Sequence, residues 1–259
     1  MTHSPTLPLT PELSIPQLGF GTWKLRDPRS AIGQALQVGY RHLDTADLYH
    51  SHGAIAEALA DSGLPRSDVF ITTKLMPHSH GAKQVKEAVQ RFLQELRTDY
   101  IDLLLIHWPS SVPVAETLGA MDAARKAGQV RALGVSNFEI DLLQASLDTG
   151  IPFSNNQIEY NLKEQPQEVL RFCLERGISV TSYTSLERGT PEQEARVAQL
   201  TKTHNATREQ VLLSWLMHKG MIVIPASSNA AHIESNFQSL QIKLADEDIA
   251  YLEKGVGTE

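Results

Sequence analysis

Short runs of apolar, strand-favouring residues recur along the whole chain: Leu18–Thr22, His42–Thr45, Val69–Leu75, Tyr100–Ile106, Val130–Val135, Phe153–Ile158, Ser179–Tyr183 and Met221–Ile224. Between them the apolar spacing changes to that of amphipathic helices. The clearest case is Val85, Ala88, Val89, Phe92, Leu93 and Leu96, an i, i+3, i+4, i+7 stripe with Lys, Gln, Glu and Arg on the far side. Gly39, Gly63, Gly128, Gly150, Gly177 and Gly220 each follow a helical pattern and precede the next strand, where a left-handed helix cap is expected. Strict alternation of helices with strands apolar enough to be covered on both faces predicts a parallel sheet. Eight repeats in 259 residues predict one α/β domain over residues 1–259, closed as a (β/α)8 barrel. The leading PTLPLTPELSIPQ is proline-rich with weak alternation and reads as a hairpin closing the barrel's bottom. An open doubly wound sheet is the alternative, but GFGTWKL after the first strand is not the GxGxxG fingerprint of that fold.

Composition narrows the partners. Lys and Arg number 23 against 30 Asp and Glu, a formal charge of −7, so no basic stripe exists to displace counterions from a nucleic acid or an anionic membrane. No apolar run is long enough to span a bilayer, and MTHSPTLPLTP lacks the charged-then-apolar order of a secretory signal. The lone cysteine, Cys173, lies in EVLRFCLERG on an amphipathic pattern and is read as a buried thiol. These features lead us to expect a cytoplasmic protein, monomeric, with a small-molecule substrate.

In a closed barrel the strand C-terminal ends share one mouth. Asp44, Lys74, His107, Asn137, Gln157, Tyr183 and Ser227 fall there, with Tyr49 in the loop after the second strand. A tyrosine, a lysine, a carboxylate and a histidine at one mouth are what proton delivery to a carbonyl needs. Tyr49 would be the acid and Lys74 would lower its pKa, with Asp44 keeping Lys74 charged and His107 binding the carbonyl oxygen. Singly, each has an ordinary structural role: a rim tyrosine, a solvated lysine, a helix cap, a core histidine.

The stretches LGFGTWKL, GYRHLDTADLY, ITTKL, DLLLIHWP, GVSNF, NQIEYN, SYTSL and VIPASS…IESNF resemble the aldo-keto reductase family over essentially the whole chain. Within it the chain is similar to compact bacterial 2,5-diketo-gluconate and methylglyoxal reductases. The resemblance implies Tyr49 as general acid, Lys74 and Asp44 tuning it, and His107 orienting the substrate. It further implies Ser136, Asn137 and Gln157 holding a nicotinamide carboxamide, Tyr183 stacking on the ring, and Gly21, Thr22, Asp44 and Leu186 also lining the cofactor site. Ser227 and Ser228, with backbone N–H groups at the start of the next helix, would take the cofactor phosphates. NADPH-using relatives usually carry a lysine after the proline of IPASS and an arginine several residues on. Here those places hold Ala226 and His232, and Ser235 stands where a glutamate often contacts the adenine, whereas Asn236 matches. The expectation is therefore NADP(H) with a weak preference and NAD(H) as a contender, any NADPH preference growing as His232 protonates at lower pH.

The connection after His107, WPSSVPVAE, is short, and the chain stops soon after the final helix, so the mouth should be open, with Trp23 and Trp108 as its apolar walls. Small ketoaldehydes, keto sugars or sugar acids such as 2,5-diketo-gluconate or methylglyoxal would fit. HSHG occurs twice, at His50–Gly53 and His78–Gly81, but no carboxylate or cysteine completes a ligand pattern, and no metal is expected. The remaining alternatives are a nucleotide-binding regulatory barrel with little turnover, and a lyase using Lys74 as a Schiff-base amine.

Overall fold

The computed structural model describes residues 4–254. Ten strands form two sheets: β1 (Thr6–Thr10), β2 (Leu13–Pro16), β3 (Phe20–Gly21), β4 (His42–Asp44), β5 (Phe70–Leu75), β6 (Ile101–Ile106), β7 (Val130–Ser136), β8 (Asn155–Glu159), β9 (Ser179–Tyr183) and β10 (Ile222–Val223). Strands β3 to β10 run parallel in chain order. The ends meet through a parallel Leu18–Val223 bridge, with Gly19 N–H donating to Val223 O at 2.8 Å and Val223 N–H to Gln17 O at 2.9 Å. The (β/α)8 barrel is thus closed. Helices α1 (Pro28–Val38), α2 (His52–Ser62), α3 (Ala82–Leu96), α4 (Val114–Lys126), α5 (Ile140–Leu147), α6 (Gln167–Glu175), α7 (Pro191–His204), α8 (Arg208–His218), α9 (Ala230–Phe237) and α10 (Asp246–Leu252) lie outside it. Among the described residues, no helix is long and apolar enough to cross a membrane.

Strand periodicity decides which residues meet inside. On β5 to β7, Ile71, Leu75, Leu104, Ile106, Leu133 and Val135 face outward and join the large core beneath the helices, including Val85, Val89 and Phe92 of α3. The alternate residues Phe70, Leu103, Leu105 and Ala132 face inward with Ile222, and Leu9, Leu13 and Ile15 of the β1–β2 hairpin pack on them. The hairpin therefore plugs the bottom, where these strands begin. Continuing the inward parity upward brings Asp44, Lys74, His107, Ser136, Gln157 and Tyr183 to the opposite end. The six capping glycines all take positive φ, from 66° to 126°.

Some boundaries differ from the sequence pattern. The first and last barrel strands shrink to two residues each, since Pro225 has no N–H with which to continue the ladder. Phe153 is buried but lies ahead of β8, which starts at Asn155. Cys173 is buried, and burial pushes its thiol up to about 11, which leaves it an inert core residue.

Candidate active site

At the end of β4, Asp44 Oδ1 accepts a hydrogen bond from Lys74 Nζ at 2.5 Å. The same ammonium donates to Thr45 O at 2.8 Å, and Gln157 Nε2 donates to Asp44 Oδ2 at 2.8 Å. Lys74 is 0 % and Asp44 2 % exposed, so the pair is fully inside the barrel. Burial would lower the Lys74 pKa, but the charge of Asp44, the Tyr49 phenol and the bond to Asp44 outweigh it, and the net shift is upward. Lys74 stays an ammonium.

Tyr49 ends a 3-10 turn, Asp47–Tyr49, closed by His50 in the left-handed region at φ 52°. Its ring centroid lies 5.1 Å from Lys74 Nζ, 4.7 Å from the Trp23 ring and 5.9 Å from the His107 ring, which it meets edge-on. Burial raises the Tyr49 phenol, and the Lys74 charge offsets only part of that rise. Lys74 does lower the Tyr49 pKa, as the sequence reading expects, but burial raises it by more and the net shift is upward.

His107 is pushed down to about 4, first by burial and then by the Lys74 ammonium, so it is neutral at physiological pH. Its Nδ1 is buried without a partner. The rest of the predicted set is pre-tied. Ser136 Oγ donates to Gln157 O at 2.8 Å, and Asn137, itself at φ 61°, donates through Nδ2 to His107 O at 3.2 Å. Tyr183 Oη donates to Asn137 Oδ1 at 2.8 Å, and burial with Glu159 and Tyr49 nearby pushes its phenol up to about 12.

One cavity of about 650 Å³ is lined by Gly21, Thr22, Trp23, Asp44, Tyr49, His107, Trp108, Ser136, Asn137, Gln157, Tyr183 and Leu186. Lys74 lies behind this surface, not on it. Ser227, Ser228 and His232 line an adjoining cavity of about 590 Å³. Asn236 and Ser235 line a smaller one of about 280 Å³ that shares Ser227 and His232. The exposed rings of Trp23 and Trp108 flank the mouth.

The expected phosphate-binding N–H groups at the start of α9 are partly spent. Asn229 Oδ1 accepts from Ala231 N–H at 2.9 Å and His232 N–H at 3.4 Å, and Ser227 Oγ accepts from Asn229 N–H at 3.1 Å. A well-formed side-chain cap satisfies donors that the sequence reading left for a ligand.

Sequence reasoning missed several residues. Leu48, Thr184 and Glu187 line the main cavity, Lys24 and Arg26 the second, and Glu209 the third. It also missed how Tyr49 is anchored. Arg91 Nη1 and Nη2 donate to Asp47 Oδ1 and Oδ2 at 2.8 and 2.9 Å, tying the 3-10 turn to α3. Arg91 reads in sequence as one more charge on a solvated helix face. The HSHG loops serve packing: His52 Nδ1 bonds Glu95 Oε2 at 2.7 Å and its Nε2 bonds Thr73 Oγ1 at 2.8 Å, while His80 Nδ1 bonds Ser110 Oγ at 2.7 Å. Among the described residues, no group of three or more His, Cys, Asp and Glu is placed to hold a metal.

Residues 17–256 match the model of the Aldo/keto reductase family. The chain is 37% identical over 243 residues to methylglyoxal reductase DkgB of Escherichia coli O157:H7, covering 91% of each. Among solved structures it superposes on an aldo/keto reductase from Brucella melitensis with a TM-score of 0.91 at 33% identity, covering 97% of this chain and 99% of that one. A Bombyx mori aldo-keto reductase in complex with NADP gives a TM-score of 0.90 at 29% identity, covering 98% and 93%.

Proposed function

The chain belongs to the aldo/keto reductase family and is an oxidoreductase, and from that premise we propose that it reduces small aldehydes and ketones with Tyr49 as the proton donor. The carrying observation is the fully buried Lys74–Asp44 pair directly behind a tyrosine that faces a cavity walled by neutral His107. The cofactor is a nicotinamide dinucleotide, NADP(H) weakly preferred over NAD(H), and when bound it supplies hydride to the carbonyl carbon. Its fit is supported by three adjoining cavities along the strand ends and by the amide and hydroxyl groups of Asn137, Gln157 and Ser136 at one end of them.

The residues of the chain do the rest. His107 donates a hydrogen bond to the carbonyl oxygen as a neutral imidazole and fixes its approach beside Tyr49. As charge develops on that oxygen, Tyr49 transfers its phenolic proton to it. A raised phenol pKa does not hinder this, because an alkoxide is a far stronger base than a phenolate. Lys74, held charged by Asp44, stabilises the phenolate that remains. A Schiff-base role for Lys74 is disfavoured, since attack needs a neutral amine and this one is ion-paired and dry. The whole chain acts as one domain and as a monomer.

Methylglyoxal, 2,5-diketo-gluconate, a keto sugar and a simple aldehyde assayed with NADPH and NADH in parallel test the assignment. Cofactor-dependent consumption of at least one small dicarbonyl or keto sugar is expected, and no turnover across the panel would overturn it. The pH profile gives a second check. Tyr49 is shifted up and His107 down to about 4, so neither titrates near neutrality. We expect kcat/KM for reduction to stay flat from about pH 6 to about pH 9. With the cofactor saturating, so that only the carbonyl end of the site is read, an inflection near the ordinary histidine pKa would refute the neutral, non-titrating His107.

A further inference from the structure

The cavity beyond the catalytic one is lined by Lys24 and Arg26, cations from a loop outside the segment that begins α9. We propose that Lys24 and Arg26, in the loop between β3 and α1, bind the 2′-phosphate of NADPH and give this chain its cofactor preference. This rests on the nicotinamide reading above. Trp23 and Ala226 line the first cavity, and their chain neighbours Lys24 and Ser227 line the second, so a dinucleotide in the first continues into the second. The second cavity, of about 590 Å³, is lined by Lys24, Arg26, Ser227, Ser228, Asn229, Ala230 and His232 and includes no carboxylate. In a chain of net charge −7, two cations and a histidine around one cavity without an acid make an anion site.

Both cations are available. Nearby Arg29 is committed to Asp61 and Glu57, whereas among the described residues Lys24 and Arg26 take part in no ion pair. The loop is also fixed against the opposite wall, since Arg26 N–H donates to Ser228 Oγ at 2.9 Å. Lys24 itself takes the left-handed conformation, φ 56°, and its Nζ lies 5.4 Å from the Trp23 ring centroid. Two of the N–H groups at the start of α9 are taken by Asn229 Oδ1, which leaves fewer of them for a phosphate. Ala226 is apolar, whereas Arg26 brings a guanidinium whose planar fork of donors matches phosphate geometry.

The test is equilibrium binding of NADPH and NADH, read by quenching of tryptophan fluorescence without turnover. Wild type is expected to bind NADPH about tenfold more tightly than NADH, the equivalent of one charge-assisted phosphate contact. R26Q should lose most of that factor on NADPH alone, K24Q/R26Q should abolish it, and R26K should restore part of it. An equal loss for both cofactors in R26Q would place the shared pyrophosphate there instead and overturn the assignment. So would an unchanged NADPH/NADH ratio in R26Q with a lowered one in H232Q. Wild type binding both cofactors equally also refutes the inference while leaving the nicotinamide reading intact, whereas binding of neither refutes the reading itself.

Discussion

Replacing Tyr49 by phenylalanine is expected to lower kcat for carbonyl reduction by about 10²–10⁴, the usual contribution of a positioned general acid. Binding of NADPH should change less than about twofold, and the fold should not change. The substitution removes one oxygen and keeps the ring that packs on Trp23 and meets His107 edge-on. The Asp47–Arg91 pair holding the 3-10 turn is untouched. With no phenol the developing alkoxide must be protonated by water or by His107. His107 as a proton source is poor: neutral imidazole is a very weak acid, and its charged form is disfavoured by burial and by the Lys74 ammonium. Stopped-flow or steady-state rates on a good substrate check this, alongside fluorescence titration of the cofactor. A variant within about tenfold of wild type would remove Tyr49 from the chemistry and leave proton delivery to solvent.

Where sequence and structure agree, the reason is periodicity. Alternation of eight strands with helices is a long-range pattern written in every segment, and it fixes the barrel and hence the mouth. Period 2 then decides which residues point inward, so Asp44, Lys74 and His107 were legible as neighbours although 30 and 33 positions separate them in turn. Energetic balances were not legible. That Tyr49 sits above its ordinary pKa follows from how much burial surrounds it, and burial depends on neighbours from several strands. Contacts between surface loops and helices were hidden too. Nothing in the α3 stripe marks Arg91 as the anchor of Asp47, and nothing in LRDPRS marks Arg26 as facing the start of α9. Such pairs join segments whose separation in space is set only by the assembled barrel. The Asn229 cap shows the same limit in reverse: one side chain took two N–H groups that the local motif offered to a ligand.

Lys74→Met is expected to destabilise the protein by about 3–5 kcal/mol, because it leaves Asp44 buried without its counter-ion. The lower end is favoured, since Gln157 Nε2 still donates to Asp44 Oδ2. In a domain of this size that corresponds to a fall in Tm on the order of 10 °C. Asp44→Asn should cost a similar amount for the opposite reason, leaving an ammonium in a dry site with neutral acceptors such as Thr45 O but no counter-charge. The double variant D44N/K74M removes both charges together and should recover most of the loss, because desolvating an ion pair offsets much of its attraction. Activity should not recover with stability. Without the ammonium 5.1 Å from its ring centroid, the Tyr49 phenolate formed on proton transfer has no counter-charge, and kcat should stay down by about 10² or more. Thermal unfolding and kinetics on the three variants separate the two roles. If the double variant is as unstable as the singles, the pair is not what holds this end of the barrel together. If K74M retains wild-type kcat, the ammonium behind Tyr49 stabilises structure alone, and the phenolate must be stabilised by the cavity's other polar groups.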